Sequence, residues 1–150
     1  MIKRKINSVS VVDNSTIITI QNVAPKDISL LFNKIAEKNI CVSITNYTVG
    51  DSGKLNLCFA FSDELLGDVM CSMGEVSNNY IYSVSADNSQ ILLEIEDVTA
   101  VDETLCHMLK AMNDANVYVK LISASVNKIY VIVGNMDIDK ALQGINKLKR

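Results

Sequence analysis

The sequence predicts an α+β fold made of two ferredoxin-like βαββαβ modules, each with an antiparallel sheet that carries its helices on one face. Two observations lead to this prediction. The order strand, helix, strand, strand, helix occurs twice along the chain, and the hydrophobic spacing switches between the periods of strands and helices. With 150 residues, of which 49% are hydrophobic, the chain has enough apolar surface to bury a core.

The second copy centres on a predicted hairpin at residues 119–134, VKLISASVNKIYVIVG. Its Val, Ile and Tyr residues favour strands, and residues 126–128 leave room only for a tight reversal. A strand (ILLEIEDV, 91–98) precedes it. The flanking helices each show one apolar stripe, and Asp137 is the predicted N-cap of the later one. The stripes consist of Leu105, Met108, Leu109, Met112 and Ala115, then Ile138, Ala141, Leu142, Ile145 and Leu148.

The first copy repeats this order. A strand (15–23) is followed by a helix (25–39), a hairpin of strands 40–49 and 54–62 around GDSG, and a second helix that begins after a predicted N-cap at Ser62. The helical stripes contain Ile28, Leu31, Phe32 and Ile35, then Leu65, Leu66, Val69, Met70 and Met73. AEKNICVSI (36–44) aligns with NDANVYVKL (113–121), which places Asn39 on Asn116.

Each module needs a fourth strand. The segment 79–86, NYIYSVSA, supplies it in the first copy, whereas the second copy has no strand after its last helix. The spare segment 5–13, KINSVSVVD, is predicted to complete the second sheet. The predicted modules are therefore residues 14–88, and residues 1–13 plus 89–150, with the first module inserted in the second.

Composition excludes several classes of function. No apolar run reaches the roughly 18 residues that span a bilayer, so a cytoplasmic protein without a membrane partner is expected. The net charge is −3 and the basic clusters lie at the two ends, which argues against nucleic acid. The only arginines are Arg4 and Arg150, and no glycine-rich phosphate loop is present. No catalytic residue and no cofactor are predicted.

The cysteines and the histidine are predicted to be structural. Four cysteines lie in periodic apolar segments without a CxxC pair, and are expected to be reduced and packed as small hydrophobic side chains. They are Cys41, Cys58, Cys71 and Cys106. His107 is expected to be a partly exposed helix residue, so no metal site is predicted.

Three segments resemble the tandem ACT regulatory region of aspartokinases. NVYVKLISASVNKIYVIV (116–133) resembles the second ACT module, LFNKIAEKNICVSI (31–44) the helix–strand junction of the first, and SDELLGDVM (62–70) its second helix. The similarity covers nearly all of residues 5–149. In that family such regions bind lysine, threonine or both as feedback inhibitors in amino-acid biosynthesis. They pair between subunits and are joined to a catalytic domain that phosphorylates the side-chain carboxylate of aspartate.

The resemblance implies a non-catalytic chain that forms a homodimer through its ACT modules and binds a free amino acid, lysine or threonine. A kinase catalytic domain is a further implied partner. The family places the effector in the loop between the first strand and helix, where its D-x-P-G reads V-A-P-K here. The implied effector-binding residues are Val23, Ala24, Pro25, Lys26, Asp27, Ile28, Ser29, Ile40, Cys41, Val42 and Tyr118. Cys41 and Tyr118 stand where the family has an asparagine.

Physical chemistry supports a ligand at this loop. Backbone N–H groups at a helix N-terminus, residues 26–29, suit a carboxylate, and Asp27 suits an ammonium group. In the second copy, Asp102 and Glu103 replace the Pro-Gly and are expected to repel a carboxylate. The competing interpretation is a simple strand-to-helix turn, in which Asp27 only favours the helix dipole.

The sequence also bears on three other functions that a ferredoxin-like scaffold can have. The main alternative is a dimerisation module whose ligand site has decayed. An acylphosphatase-type hydrolase would need a loop arginine, which the sequence lacks. RNA binding would need exposed aromatic residues within basic surroundings, whereas Tyr47, Phe59, Phe61 and Tyr130 are predicted to be core or interface residues.

Overall fold

The computed structural model describes residues 6–96, 99 and 101–149. The chain forms two compact units. Asn14–Ala86 is called the first module here, and Met1–Asp13 with Asp87–Arg150 the second module. Within the described residues, four pairs of neighbouring strands run antiparallel, two in each module, and each module contains two helices. The predicted α+β class with two βαββαβ modules is confirmed.

The first module contains ten residues of β1 (Ile6–Val23), followed by α1 (Pro25–Glu37), β2 (Thr45–Val49), β3 (Leu55–Ser62), α2 (Leu66–Val76) and the start of β4 (Ile81–Ile95). Its strand order is β2-β3-β1-β4. β1 pairs antiparallel with β3, with Ile18 opposite Phe59 and Ile20 opposite Leu57. This is the strand order of a ferredoxin-like module.

The second module takes the other halves of the two long strands. It contains the end of β4, then α3 (Val101–Asp114), β5 (Val119–Ala124), β6 (Lys128–Gly134) and α4 (Ile138–Lys149), and the start of β1. Its strand order is β1-β4-β6-β5. Ile6, at the start of β1, is 6% exposed and belongs to the core cluster that also contains Leu93 and Ile95.

Each module buries one face of its sheet beneath its two helices. The alternation of β-strand residues and the i, i+4 spacing of helix residues bring apolar side chains together. In the first module, Ile18, Ile20, Leu57 and Phe59 of the sheet share a core with Leu31, Ile35, Val69 and Met73 of the helices. In the second module, Ile91, Leu93, Ile129 and Val131 share a core with Met108, Met112, Ala141 and Ile145.

Two strands are longer than the sequence predicts. Segments 5–13 and 15–23 are predicted as separate strands, but β1 is continuous, and β4 likewise joins the predicted strands 79–86 and 91–98. The units divide at Asp13/Asn14 and at Ala86/Asp87. Asn14 and Asp87 have φ of 59° and 58°, and Asn and Asp tolerate this left-handed conformation better than most residues. The polar residues that suggested turns therefore adopt special backbone angles within strands.

Several local predictions need correction. β2 begins at Thr45 and not at residue 40. Ser62 makes no capping hydrogen bond with its side chain, and Asp137 lies in the 3-10 turn before α4, where its carboxylate pairs with Lys140. Residues 5, 97 and 98 of the predicted strands, and Arg4 and Arg150, lie outside the described residues.

The cysteines are more exposed than predicted. Cys41, Cys71 and Cys106 are exposed, and Cys58 is half-buried, so the prediction that all four pack as core side chains is wrong. Cys71 and Cys106 occupy helix positions beside the apolar stripes rather than on them. His107 is exposed on α3, as predicted. Within the described residues, no helix is both long and apolar enough to span a membrane.

Candidate functional site

The candidate site lies where β1 ends and α1 begins. Val23 ends the strand and is almost fully buried, while Ala24 is the helix N-cap, with extended φ and ψ of −67° and 142°. Pro25 follows at the first helical position, where its missing N–H is not needed and its fixed φ suits a helix. The proline therefore sets the start of α1.

The helix start offers fewer backbone donors than the sequence predicts. The N–H groups of Asp27 and Ile28 both donate to the Ala24 carbonyl, at 2.9 and 3.3 Å. Among the hydrogen bonds of the described residues, none uses the Lys26 N–H. Since Ala24 provides no side-chain cap, the Lys26 N–H is the donor available to a ligand carboxylate in the first turn.

Tyr80 is a further candidate for the site, which the sequence analysis did not identify. It directly precedes β4, and its hydroxyl oxygen is buried without a hydrogen-bond partner among the described residues. Burial raises the pKa of the Tyr80 hydroxyl, and the negative charge of Asp27 raises it further. Asp27 and Tyr80 therefore act electrostatically on each other across the first module. The sequence analysis had placed Tyr80 only in the fourth strand of the first copy, residues 79–86, without a role in the site.

A small cavity of about 150 Å³ adjoins Tyr80. Its walls include Met73 and Gly74 from α2, Asn78 from the following loop, and Tyr82 from β4. A buried hydroxyl without a partner costs free energy, which a polar ligand or water in such a cavity would recover. The cavity is large enough to hold part of a small polar molecule.

The junction between α1 and β2 forms a helix-ending motif. Asn39 has φ of 57°, and the Ile40 N–H donates to the Ile35 carbonyl at 3.2 Å. Ile40 is buried in the core cluster that contains Val23, and Val42 packs against it together with Ile28. Of the predicted residues, Val23, Ile28, Ile40 and Val42 therefore belong to one core or pack against it.

The remaining predicted site residues are exposed. Lys26, Ser29 and Cys41 face solvent in the first module. Tyr118 belongs to the equivalent junction of the second module, where 75% of it is exposed. Asp102 and Glu103 are also exposed, in the first turn of α3. No described group of three or more His, Cys, Asp or Glu residues is placed to hold a metal ion.

A second depression, of about 520 Å³, lies near the hairpin turn of the first module. Thr19, Gln21, Asn22, Gly50 and Asn56 form its walls, and the Asn22 N–H donates to the Asn56 side-chain carbonyl at 3.2 Å. It contains amides and a hydroxyl but no charged side chain. It therefore lacks a counter-charge for either end of a free amino acid.

The order of strands and helices defines a tandem ACT-type fold. No protein-family model matches the sequence, and no curated protein matches it. Solved structures do match, and the regulatory subunit of aspartate kinase from Thermus flavus is one of them. It is 15% identical, with a TM-score of 0.84 over 97% of this chain and 99% of that chain.

Two longer proteins share the same fold over part of their length. Aspartate kinase from Clostridium acetobutylicum is 15% identical, with a TM-score of 0.82 over 97% of this chain and 35% of that chain. E. coli aspartokinase III in complex with lysine and aspartate is 15% identical, with a TM-score of 0.67 over 95% of this chain and 32% of that chain. The fold of this chain is therefore the fold of aspartate kinase regulatory domains.

Proposed function

We propose that the chain is a regulatory ACT domain pair that binds a free amino acid and acts on an aspartokinase-type catalytic domain in the cytoplasm. The fold match over almost the whole of a regulatory subunit supports the regulatory class. The chain itself carries no catalytic function in this proposal. Lysine and threonine are the first effectors to test, because the resemblance implies both and a lysine complex of E. coli aspartokinase III shares the fold.

The single observation that carries the ligand proposal is the unused Lys26 N–H at the start of α1, together with the buried hydroxyl of Tyr80, whose pKa is raised by burial and by the charge of Asp27. The Lys26 N–H is available for the effector carboxylate, Asp27 for its ammonium group, and the Tyr80 hydroxyl for a further hydrogen bond. The helix dipole adds attraction for the carboxylate. The other proposed contact residues are Val23, Ala24, Pro25, Ile28, Ser29, Ile40, Cys41, Val42 and Tyr118.

Thermal unfolding with each of the twenty amino acids tests the proposal. A ligand at one hundred times its Kd adds about 2.7 kcal/mol to the free energy of unfolding, which gives a clear rise in Tm. Asp27→Ala is expected to remove that rise while the ligand-free Tm changes little. Asp102→Ala is the matched control. Both residues are acids in the first turn of a helix, and Asp27 is half-buried whereas Asp102 is exposed.

A homodimer through the ACT modules is the second part of the proposal. All five residues of the edge strand β2 are exposed, including Tyr47 at 59% and Val49 at 73%. None of these residues is charged, and uncharged sheet edges favour pairing with another strand. Light scattering at high micromolar concentration should give twice the monomer mass, and Tyr47→Lys with Val49→Lys should return it to the monomer mass.

The alternative is an ACT-type dimerisation module with a decayed ligand site. The observation that favours it is the loop sequence, in which Val23 and Lys26 replace the acid and the glycine of the family. Under this alternative, none of the twenty amino acids raises the Tm, whereas the β2 variant still abolishes the dimer. The two measurements together therefore separate the alternatives.

A further inference from the structure

The second module contains a groove of about 510 Å³ between α3 and α4. Four side chains that can carry positive charge line it: His107 and Lys110 from α3, and Lys140 and Lys147 from α4. Asp114 is the one acid among the lining residues. The volume lies within the range of roughly 300 to 1,000 Å³ that is usual for small-molecule sites.

The groove is open because its floor is made of small residues. Ala111 and Ala115 of the α3 side face Gly144 of α4. A Cβ atom added to Gly144 would lie 3.6 Å from the Ala111 Cβ and 3.4 Å from the Met112 Cε, so the helices approach closely at this point. The floor is therefore apolar, while most of the charged side chains along the walls are basic.

The first module shows what closes the same space. Counting back from the last residue of each helix, Lys34 and Lys38 near the end of α1 occupy the positions of Ala111 and Ala115. Both lysines form ion pairs with Glu75 of α2, with N–O distances of 3.8 Å for Lys34 and 3.3 Å for Lys38. In the first module, long side chains and an ion pair thus bridge the two helices.

On the α4 side of the groove, the second module has a basic residue where the first module has an acidic one. Counting from the first residue of each helix, Lys147 of α4 occupies the position of Glu75 of α2. Lys110 pairs with Asp114 at 3.1 Å and Lys140 with Asp137 at 3.3 Å, but no described carboxylate pairs with Lys147. The second module therefore lacks both the bridging side chains and the negative charge that the first module has here.

His107 adds a donor at the edge of the groove. Its Nδ1 lies 2.8 Å from the Glu103 carbonyl oxygen, which can only accept, so Nδ1 carries a proton. The remaining ring nitrogen, Nε2, donates to an anion when the ring is in its imidazolium form, which has an N–H on both nitrogens.

We propose that this groove binds a small organic polyanion, a molecule with at least two phosphate or carboxylate groups on a compact apolar body. The anionic groups bridge Lys147 and Lys140 to Lys110 and His107, and the body rests on Ala111, Ala115 and Gly144. Such a ligand supplies the bridge and the negative charge that Lys34, Lys38 and Glu75 supply in the first module. The site lies within the second module and does not depend on the amino-acid site proposed above.

The test measures binding of sodium pyrophosphate and of sodium citrate by calorimetry, at a constant ionic strength of about 0.15 M set with chloride. One or both probes should bind, and the two distinguish a phosphate ligand from a polycarboxylate ligand. Lys147→Glu should weaken binding at least about tenfold. Lys54→Glu, the same change of charge at an exposed turn residue, should leave it unchanged.

A double variant keeps the result interpretable if Lys147→Glu disturbs the fold. Ala115→Lys with Lys147→Glu recreates the Lys38–Glu75 pair of the first module, so it should fold with an unchanged or higher Tm and bind neither probe. Failure of both probes to bind the unmutated protein would overturn the proposal, as would equal losses in Lys147→Glu and Lys54→Glu. Binding of a glutamate-rich peptide without either probe would overturn it in favour of a protein partner.

Discussion

Thr16 on β1 donates a hydrogen bond from its hydroxyl to the carboxylate of Asp63, at 2.5 Å. Thr16 is fully buried, and Asp63 opens the 3-10 turn that leads into α2. The second module has a related contact, in which the Ser89 hydroxyl on β4 lies 2.6 Å from Asn135, the first residue of the turn before α4. In both modules, a hydroxyl on the first strand therefore fixes the start of the second helix.

Replacing Thr16 with valine tests this connection. The change keeps the shape of the side chain but leaves the half-buried Asp63 carboxylate without its donor, which should lower the free energy of unfolding by about 1 to 3 kcal/mol. Urea unfolding measures the effect. Thr48→Val, at an exposed position of β2, is the control and should change stability by less than about 0.5 kcal/mol.

Acid should weaken the first module through Glu75. The hydrogen bond from Lys38 holds the pKa of the Glu75 carboxyl below its ordinary value of 4.5. Burial lowers the pKa of Lys38, but the hydrogen bond and charge of Glu75 more than offset this, so the Lys38 pKa is raised. The contribution of Glu75 to stability is present above its unfolded pKa and is lost as pH falls through the lowered folded value.

Urea midpoints of the unmutated protein and of Glu75→Gln should therefore differ at pH 7 and converge as the pH approaches 3. The difference at pH 7 should be small and should shrink in high salt, because the Glu75 side chain is exposed and the Lys38 side chain is partly exposed. Glu37→Gln, at an exposed position of α1, is the matched control. A gap that stays constant from pH 7 to pH 3 would show that the ion pair does not contribute.

The boundaries predicted from the sequence, residues 14–88 for one module and residues 1–13 plus 89–150 for the other, lead to a prediction about Ile6. Ile6→Ala removes a side chain from the core of the second module and should cost about 2 to 4 kcal/mol. Val12→Ala is the control, because Val12 is 59% exposed. In the Ile6→Ala variant, hydrogen exchange should show earlier loss of protection in β6 than in β3. The reverse order would contradict the predicted boundaries.

The periodicity of apolar residues was sufficient to predict the two modules, because apolar residues are spaced differently in buried strands and in helices with one apolar face. It did not predict that β1 and β4 run unbroken through Asn14 and Asp87, since Asp-Asn pairs are also typical of turns. It also placed Cys71 and Cys106 in the core. On a narrow helical stripe, one position of error moves a side chain from the core to solvent.

The candidate sites were harder to predict than the fold. The Val23–Ser29 loop came from the resemblance, but the electrostatic effect of Asp27 on Tyr80 depends on two segments that are distant in sequence. The groove between α3 and α4 exists because the second module lacks the long side chains that Lys34 and Lys38 provide in the first module. This difference is recognised only when the helix pairs of the two modules are compared.

The equivalent residues Asn39 and Asn116 provide the last prediction. Each lies just after the first helix of its module, with φ of 57° for Asn39 and 58° for Asn116. The N–H of the next residue donates to a carbonyl of the last helical turn, from Ile40 to Ile35 in the first module and from Val117 to Met112 in the second. A β-branched residue is strained in this conformation, whereas glycine is not.

Asn39→Val and Asn116→Val should each cost about 1 to 2 kcal/mol, and Asn39→Gly should be neutral or stabilising. Asn33, at an exposed position inside α1, is the control at which the order reverses: glycine there should cost more than valine, because glycine lowers helix propensity. Urea unfolding of the four Asn39 and Asn33 variants checks the reversal. If valine and glycine rank the same way at both positions, backbone conformation is not what selects asparagine at the helix ends.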